Sequence, residues 1–374
     1  MIKQNQQYKI ALIGDSLSNG GAERVHARLS DFFESKNHKV YNCVFVDSVN
    51  YKYSGELFNL GKIQKKSNPI LRRIVRFYKL KQFIKKNQFD IIIDFRMRNT
   101  FFQEFLLSNF IYKNKVIYSV RSGVLNYYFP KSSFLSKLIY QNKKIVAVSE
   151  AVKNKIKEEE LAQNVTYIYN PIDFEEIAKL KEEFIPESQS YILAAGRMNN
   201  DIKQFDQLII AYSKSDLPKK SIDLVLLGEG KNLEKYKELA KNLGLEKSIK
   251  FLGFQENPFP YYKNAIFTVL SSKNEGFPNV LIESLAVETP VVSFDCFSGP
   301  NEIVKDKENG ILVENQEFEK LIHAMNIFIE DKKLYNDCKK MTKLSVSHLQ
   351  IELIGKLWVD LIEKQLININ TDEF

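Results

Sequence analysis

The stretch Ser271-Ser272-Lys273-Asn274-Glu275-Gly276-Phe277-Pro278-Asn279-Val280-Leu281-Ile282-Glu283-Ser284-Leu285-Ala286 follows directly on the apolar run 266–270. It reads as a buried strand, a polar glycine turn and then a helix with proline in its first turn. Strand, loop and helix in that order are the repeating unit of a parallel sheet covered by helices on both faces. Outward from it, further strands are expected at 191–195, 223–227, 249–252, 291–294 and 311–313. The same alternation occupies the first half, with strands expected at 8–13, 40–46, 91–95, 115–120, 144–148 and 165–169 and an amphipathic helix over 22–35. The charged stretch 179–190, with Pro186, interrupts the pattern and reads as a linker. The fold class is therefore α/β, two doubly wound parallel-sheet domains. Residues 1–178 form the first and 179–350 the second, with helical pieces over about 317–366. Two such domains facing each other make a cleft, and ligands of open parallel sheets sit at the carboxyl ends of strands.

At 374 residues the chain suits two domains. No run reaches the roughly 18 apolar residues of a membrane span. The polar start, Met1 to Gln7, leads straight into a strand and does not resemble a signal peptide. Cys43, Cys296 and Cys338 lie far apart without metal-ligand spacing, which suits a reducing, cytoplasmic compartment. The net charge of +8 hides an asymmetry. Residues 1–170 hold 29 Lys and Arg against 13 Asp and Glu, a net of +16, whereas 171–374 hold 25 against 33, a net of −8.

Much of the positive charge lies in 62–89, where Lys62, Lys65, Lys66, Arg72, Arg73, Arg76, Lys79, Lys81, Lys85 and Lys86 occur with no acid. Ile70, Leu71, Ile74, Val75, Phe77, Tyr78, Phe83 and Ile84 are interleaved with them. On a helix this pattern suits an anionic membrane surface. It suits equally a domain helix whose apolar face meets the core and whose charges are solvated. Nucleic acid is not expected, because no recognition motif accompanies the charge. Residues 47–70 and 95–140 read as loops on this domain's ligand side.

Six features fall at strand ends or helix starts. Gly20-Gly21 opens the first helix and lets backbone approach a ligand. Gly196-Arg197 ends the strand at 191–195, with Lys203 beyond it; two cations there could neutralise a diphosphate. Gly228-Glu229-Gly230 and Gly253-Phe254 end the next two strands, where backbone could pass close to a base. Around Pro278, the amides of Gly276, Phe277, Asn279 and Val280 are expected as donors near a helix's positive end. Glu275 and Glu283 flank that turn, and carboxylates accept bidentate hydrogen bonds from vicinal diols. Ser298-Gly299-Pro300-Asn301-Glu302-Ile303 repeats the turn-then-helix arrangement after 291–294. Taken singly, each is as well explained by an ordinary turn or a solvated surface charge.

As an ordered set over nearly the whole length, these motifs and Asn170-Pro171-Ile172-Asp173 resemble the family-4 retaining glycosyltransferases of the GT-B fold. The serine-glycine-proline motif is similar to the branch that builds bacterial surface glycans such as lipopolysaccharide and capsule. The resemblance implies two Rossmann-like domains, with 351–374 crossing back onto the first. It implies α-forming transfer of a hexose or N-acetylhexosamine from a nucleotide sugar, UDP-linked by preference, to a lipid-linked glycan acceptor, without metal or other cofactor. It gives Glu283 the ribose hydroxyls, Glu275 the sugar hydroxyls, and Arg197 and Lys203 the diphosphate. Gly276, Phe277, Pro278 and Asn279 would line sugar and phosphate, Gly228, Gly230 and Phe254 the donor, and Gly20 and Gly21 the cleft from the first domain. The protein would be cytoplasmic and peripheral at the inner membrane face, held there by 62–89.

Two departures from the family pattern stand out. Arg197 and Lys203 are six positions apart where five is usual, which ranks Lys203 behind Arg197. The acceptor-side histidine of many members is replaced within Ser119-Val120-Arg121-Ser122; Arg121 could bind phosphate but cannot act as a base at neutral pH. His26 and His38, expected to flank a helix, and His323 and His348 read as satisfied structural histidines. The alternatives are a sugar-nucleotide epimerase or other enzyme on the same scaffold, or a non-catalytic sugar-nucleotide-binding protein.

Overall fold

The computed structural model describes residues 6–18, 20–63, 68–98, 100–188 and 190–372, with side chains described to 369. Lys65 and Lys66 of the basic segment lie outside the described residues. The chain divides into two compact units, residues up to 171 with those from 351 onward, and residues 172–350.

The first unit is built on β1 (Lys9–Gly14), β2 (Lys39–Val44), β3 (Glu56–Asn59), β4 (Ile91–Asp94), β5 (Val116–Val120), β6 (Lys144–Ala147) and β7 (Val165–Tyr167). They form one sheet in the order β3-β2-β1-β4-β5-β6-β7, and every neighbouring pair is parallel. Every β4 residue is buried, as a parallel strand sandwiched between helices must be. Six strands agree with the apolar runs to within two residues. β3 is a correction, because it lies in 47–70, which reads as loop. Four edge residues, Glu56 exposed and the other three half-exposed, carry too little alternation to announce a strand.

The connecting helices are α1 (Gly21–Ser35), α2 (Pro69–Asn87), α3 (Phe101–Leu106), α4 (Ser133–Tyr140) and α5 (Glu150–Glu158). A π-helical turn, Leu107–Tyr112, continues α3. Residues 95–140, expected to be loop beyond the strand at 115–120, therefore also carry α3, the π turn and α4; these aromatic-rich pieces are too short to show a helical period. α2 has clear punctuation. The Asn68 side chain accepts the Ile70 N–H, Pro69 occupies the first turn, and Gln88 closes the helix at φ 50°. His26 lies inside α1 rather than beside it.

The second unit repeats the plan with β8 (Tyr191–Ala195), β9 (Asp223–Leu227), β10 (Ile249–Gly253), β11 (Thr268–Leu270), β12 (Val291–Asp295) and β13 (Gly310–Glu314), ordered β10-β9-β8-β11-β12-β13. Its helices are α6 (Phe174–Leu180), α7 (Phe205–Lys214), α8 (Leu233–Asn242), α9 (Phe259–Asn264), α10 (Asn279–Ala286), α11 (Pro300–Ile303), α12 (Phe318–Glu330) and α13 (Lys332–Ser345). Edge-on aromatic contacts, Phe267 with Phe328 and Phe294 with Phe318, pack α12 onto the sheet.

The last helix, α14 (Ile351–Asp372), belongs to the first unit and packs on α1. Gly355 makes this possible, since a Cβ there would stand 2.4 Å from the Phe32 ring. Trp358 is fully buried beside Phe95. In each sheet the winding direction reverses next to the first strand, between β1 and β4 and again between β8 and β11. Those two switch points are where an open α/β sheet leaves a crevice for a ligand.

Candidate functional site

At the second unit's switch point the loops after β8 and β11 are tied together. The Lys273 N–H donates to the Ile202 carbonyl at 2.8 Å, and the Ser271 hydroxyl donates to the Lys203 carbonyl at 2.9 Å. Across this seam Lys203 Nζ meets Glu275 Oε1 at 2.6 Å. The side chains are only 19% and 13% exposed, so the pair is largely shielded from solvent. The additional residue between Arg197 and Lys203 is taken up in the turn at 199–202, and Lys203 still reaches the carboxylate. Glu275 Oε2 has no partner among the described residues, so one oxygen is fixed by the cation and the other is available to a ligand hydroxyl.

The loop after β12 supports the same turn from its other side. Ser298 donates its hydroxyl to the Gly276 carbonyl at 2.6 Å, and the Glu275 N–H reaches the Phe297 carbonyl. Gly299 has φ 96°, and a Cβ on it would lie 2.5 Å from Pro278. Phe277 and Pro278 are buried, and Pro278 stands just before α10 as its cap rather than within its first turn. Asn279 and Glu283, four residues apart, share one face of α10; Glu283 is only 5% exposed.

Arg197 is exposed and has no partner among the described residues, an uncommitted guanidinium at the β8 end. The glycine loops stack beside it. Gly228 has φ 132°, and a Cβ there would fall 2.0 Å from the Gly196 carbonyl oxygen. Only glycine permits that approach. Gly230 lies similarly close to Met198 and Asn199. Half-buried Phe254 donates its N–H to Glu229 Oε1. Cys296 is near the Lys203–Glu275 pair, but burial pushes its thiol up to about 12, so it remains protonated and unreactive. Among the described residues no three His, Cys, Asp or Glu side chains come together to hold a metal ion.

Gly20, Gly21 and Arg121 lie in the first unit. Gly20 caps α1 in an extended conformation, and Gly21 is the first helical residue. Arg121, just past β5, is half-buried with its guanidinium over the Phe95 ring. Its Nη1 lies 3.5 Å from the Ile168 carbonyl, while Nε and Nη2 are buried without partners. Burial lowers its pKa to about 10. A guanidinium short of acceptors in this way favours an anion.

His26 is fully buried and held down to about 4 by that burial. Asn42 donates its amide to Ser54, so its oxygen takes the His26 Nε2 proton and Nδ1 is a bare acceptor. Only one ring nitrogen is satisfied, a correction to the expectation for this histidine. Sequence reasoning passed over Ser271, whose hydroxyl joins two loops 68 residues apart. A lone serine at a strand end gives no signal of such a partner.

Residues 19–176 match the family described as Glycosyltransferase Family 4, and residues 175–345 match Glycosyl transferases group 1. A Campylobacter jejuni protein, N-acetylgalactosamine-N,N'-diacetylbacillosaminyl-diphospho-undecaprenol 4-alpha-N-acetylgalactosaminyltransferase, is 36% identical over 192 residues. That alignment spans 50% of this chain and 52% of the relative, about half the length of each. Amylovoran biosynthesis glycosyltransferase AmsD of Erwinia amylovora is 25% identical over 95% of this chain and 99% of its own. The crystal structure of HepE from Anabaena in complex with UDP-glucose superposes with a TM-score of 0.77 at 18% identity, covering 96% of this chain and 100% of HepE. This last likeness is one of fold.

Proposed function

The chain belongs to the family-4 glycosyltransferases, and on that premise we propose that it transfers a hexose or N-acetylhexosamine from a UDP-sugar to a lipid-linked glycan in surface-polysaccharide synthesis. The observation that carries this reading is the Lys203–Glu275 pair at the second unit's switch point, beside the uncommitted Arg197. In this reading Arg197 and Lys203 hold the donor diphosphate, and Glu275 Oε2 accepts from sugar hydroxyls. Glu283 binds the ribose, and the backbone from Gly276 to Asn279 lines sugar and phosphate. Gly228, Gly230 and Phe254 border the nucleotide. At the first unit's own strand ends, Gly20 and Gly21 let backbone approach a ligand closely, and Arg121 takes an acceptor phosphate.

The acceptor hydroxyl oxygen bonds to the anomeric carbon as the bond from that carbon to the diphosphate oxygen breaks. The bonding pair leaves with UDP, and the hydroxyl proton passes to the departing diphosphate. Attack on the face that the diphosphate leaves gives retention. The two cations and the amides before α10 stabilise the charge that develops on the diphosphate, so the reaction needs no metal. The C. jejuni relative, whose name specifies an α linkage and a diphospho-undecaprenol acceptor, supports this assignment of acceptor class.

No helix among the described residues is long and apolar enough to cross a membrane. In the proposed reading the protein works at the cytoplasmic membrane face, held by the basic segment 62–89. The test is incubation with a panel of UDP-sugars and extracted lipid-linked glycans, followed by NMR of the product's anomeric proton. An α product with release of UDP is expected; a β product, or transfer from GDP-sugars alone, would overturn the reading.

A further inference from the structure

One helical layer of the first unit has an apolar outer surface that its core does not use. The connections β3 to β4, β4 to β5 and β5 to β6 all step across the sheet in the same direction. Right-handed crossover therefore places α2, α3 with its π turn, and α4 on one face, and α1 on the other. Of the eleven large apolar side chains exposed among the described residues up to 171, eight lie on these three segments.

On α2 they are Ile70, Leu71, Ile74 and Tyr78, 54–68% exposed. The core is served by the opposite side of the helix, where Leu80 is buried and Phe83 stacks on Phe58 at 4.3 Å. Phe102 and Phe110 are 70% and 65% exposed on α3 and the π turn, and Phe134 is 69% exposed on α4 with Leu138 one turn on. The Ser108 hydroxyl reaches the Ile139 carbonyl, so the π turn and α4 pack side by side. Between residues 100 and 112 the one charged side chain, Glu104, is buried against Arg96. α2 carries seven Lys and Arg and no acid.

We infer that this layer is a membrane-docking surface, in which Phe102, Phe110 and Phe134 enter the boundary between headgroups and acyl chains while α2 lies against lipid phosphates. The inference rests on the membrane reading above and extends it: the basic segment supplies charge, and a separate aromatic patch supplies the anchor. Apolar side chains flanked by unopposed cations fit an anionic bilayer. A second copy of the same face would set one cationic helix against another.

Flotation of the full chain with vesicles of phosphatidylcholine, alone or mixed with phosphatidylglycerol, tests it. The wild type should float with the mixed vesicles and release at high salt, whereas Phe102→Ser/Phe110→Ser/Phe134→Ser should partition about tenfold or more weakly. Should that variant fold poorly, Phe102→Trp provides a second readout. Trp358 is fully buried, so quenching of the new indole by brominated lipid reports insertion. Flotation of the triple variant like the wild type, or an unquenched indole, would overturn the inference. So would a dimer that the triple variant dissociates without any change in flotation. UDP binding measured on the same samples separates the two claims: a chain that binds UDP but no vesicle defeats the surface alone, and one that floats but ignores UDP defeats the donor site alone.

Discussion

At the residue scale the proposed donor site depends on a cation and a carboxylate 72 positions apart in sequence. Arg197 stands uncommitted, while Lys203 is held at 2.6 Å by Glu275. Arg197→Ala should therefore remove a charge that forms its bonds only with ligand, cutting transfer about 100-fold or more with little change in thermal stability. Lys203→Ala should cost as much in transfer and also lower the melting temperature, because it leaves Glu275 largely buried without its cation. Equal melting temperatures for the two variants would contradict this division.

His26 makes a pH prediction at the same scale. Its folded-state pKa, about 4, lies below the ordinary 6.5 because burial disfavours the charged ring. Below pH 6.5 the unfolded chain binds a proton that the folded chain refuses. Its contribution to stability is thus complete above about pH 6.5 and lost as pH falls toward 4, at up to about 1.4 kcal/mol per pH unit. Denaturant melts of wild type and His26→Gln should differ in slope over that window; parallel profiles would refute the assignment.

At the element scale the strands were legible because buried parallel strands are short apolar runs ending at glycine or polar turns. β3 was not, since a four-residue edge strand with no buried position lacks that contrast. α2 shows a different limit. Its sequence is apolar on more than one side, and the buried side is decided by Phe58, Tyr41 and Phe89, which only the folded sheet brings together. The turn from Glu275 to Asn279 could be placed at a strand end from sequence, whereas its ties through Ser271 and Ser298 could not. Gly228 belongs at this scale too. Gly228→Ala would force the loop after β9 away from Gly196, and UDP affinity should fall at least tenfold. Unchanged affinity would show that the two loops do not act together.

At the scale of the whole molecule, both units have the same reversal of winding, so each offers a crevice at its strand ends. The opposed charges of the two halves divide the work. The acidic second half carries Arg197 and Lys203 at the proposed donor site, and the basic first half keeps an uncovered helical layer. The family matches span 19–345 between them, which includes both crevices. In the proposed reading the crevice between β8 and β11 binds a UDP-sugar through Glu283 and its neighbours. Thermal denaturation of the wild type and Glu283→Gln against a panel of UDP- and GDP-sugars tests it most directly. A UDP-sugar at about 100 times its Kd should stabilise the wild type by about 2.7 kcal/mol and leave Glu283→Gln unmoved; a wild type that no UDP-sugar stabilises, or an undiminished shift in the variant, would contradict it.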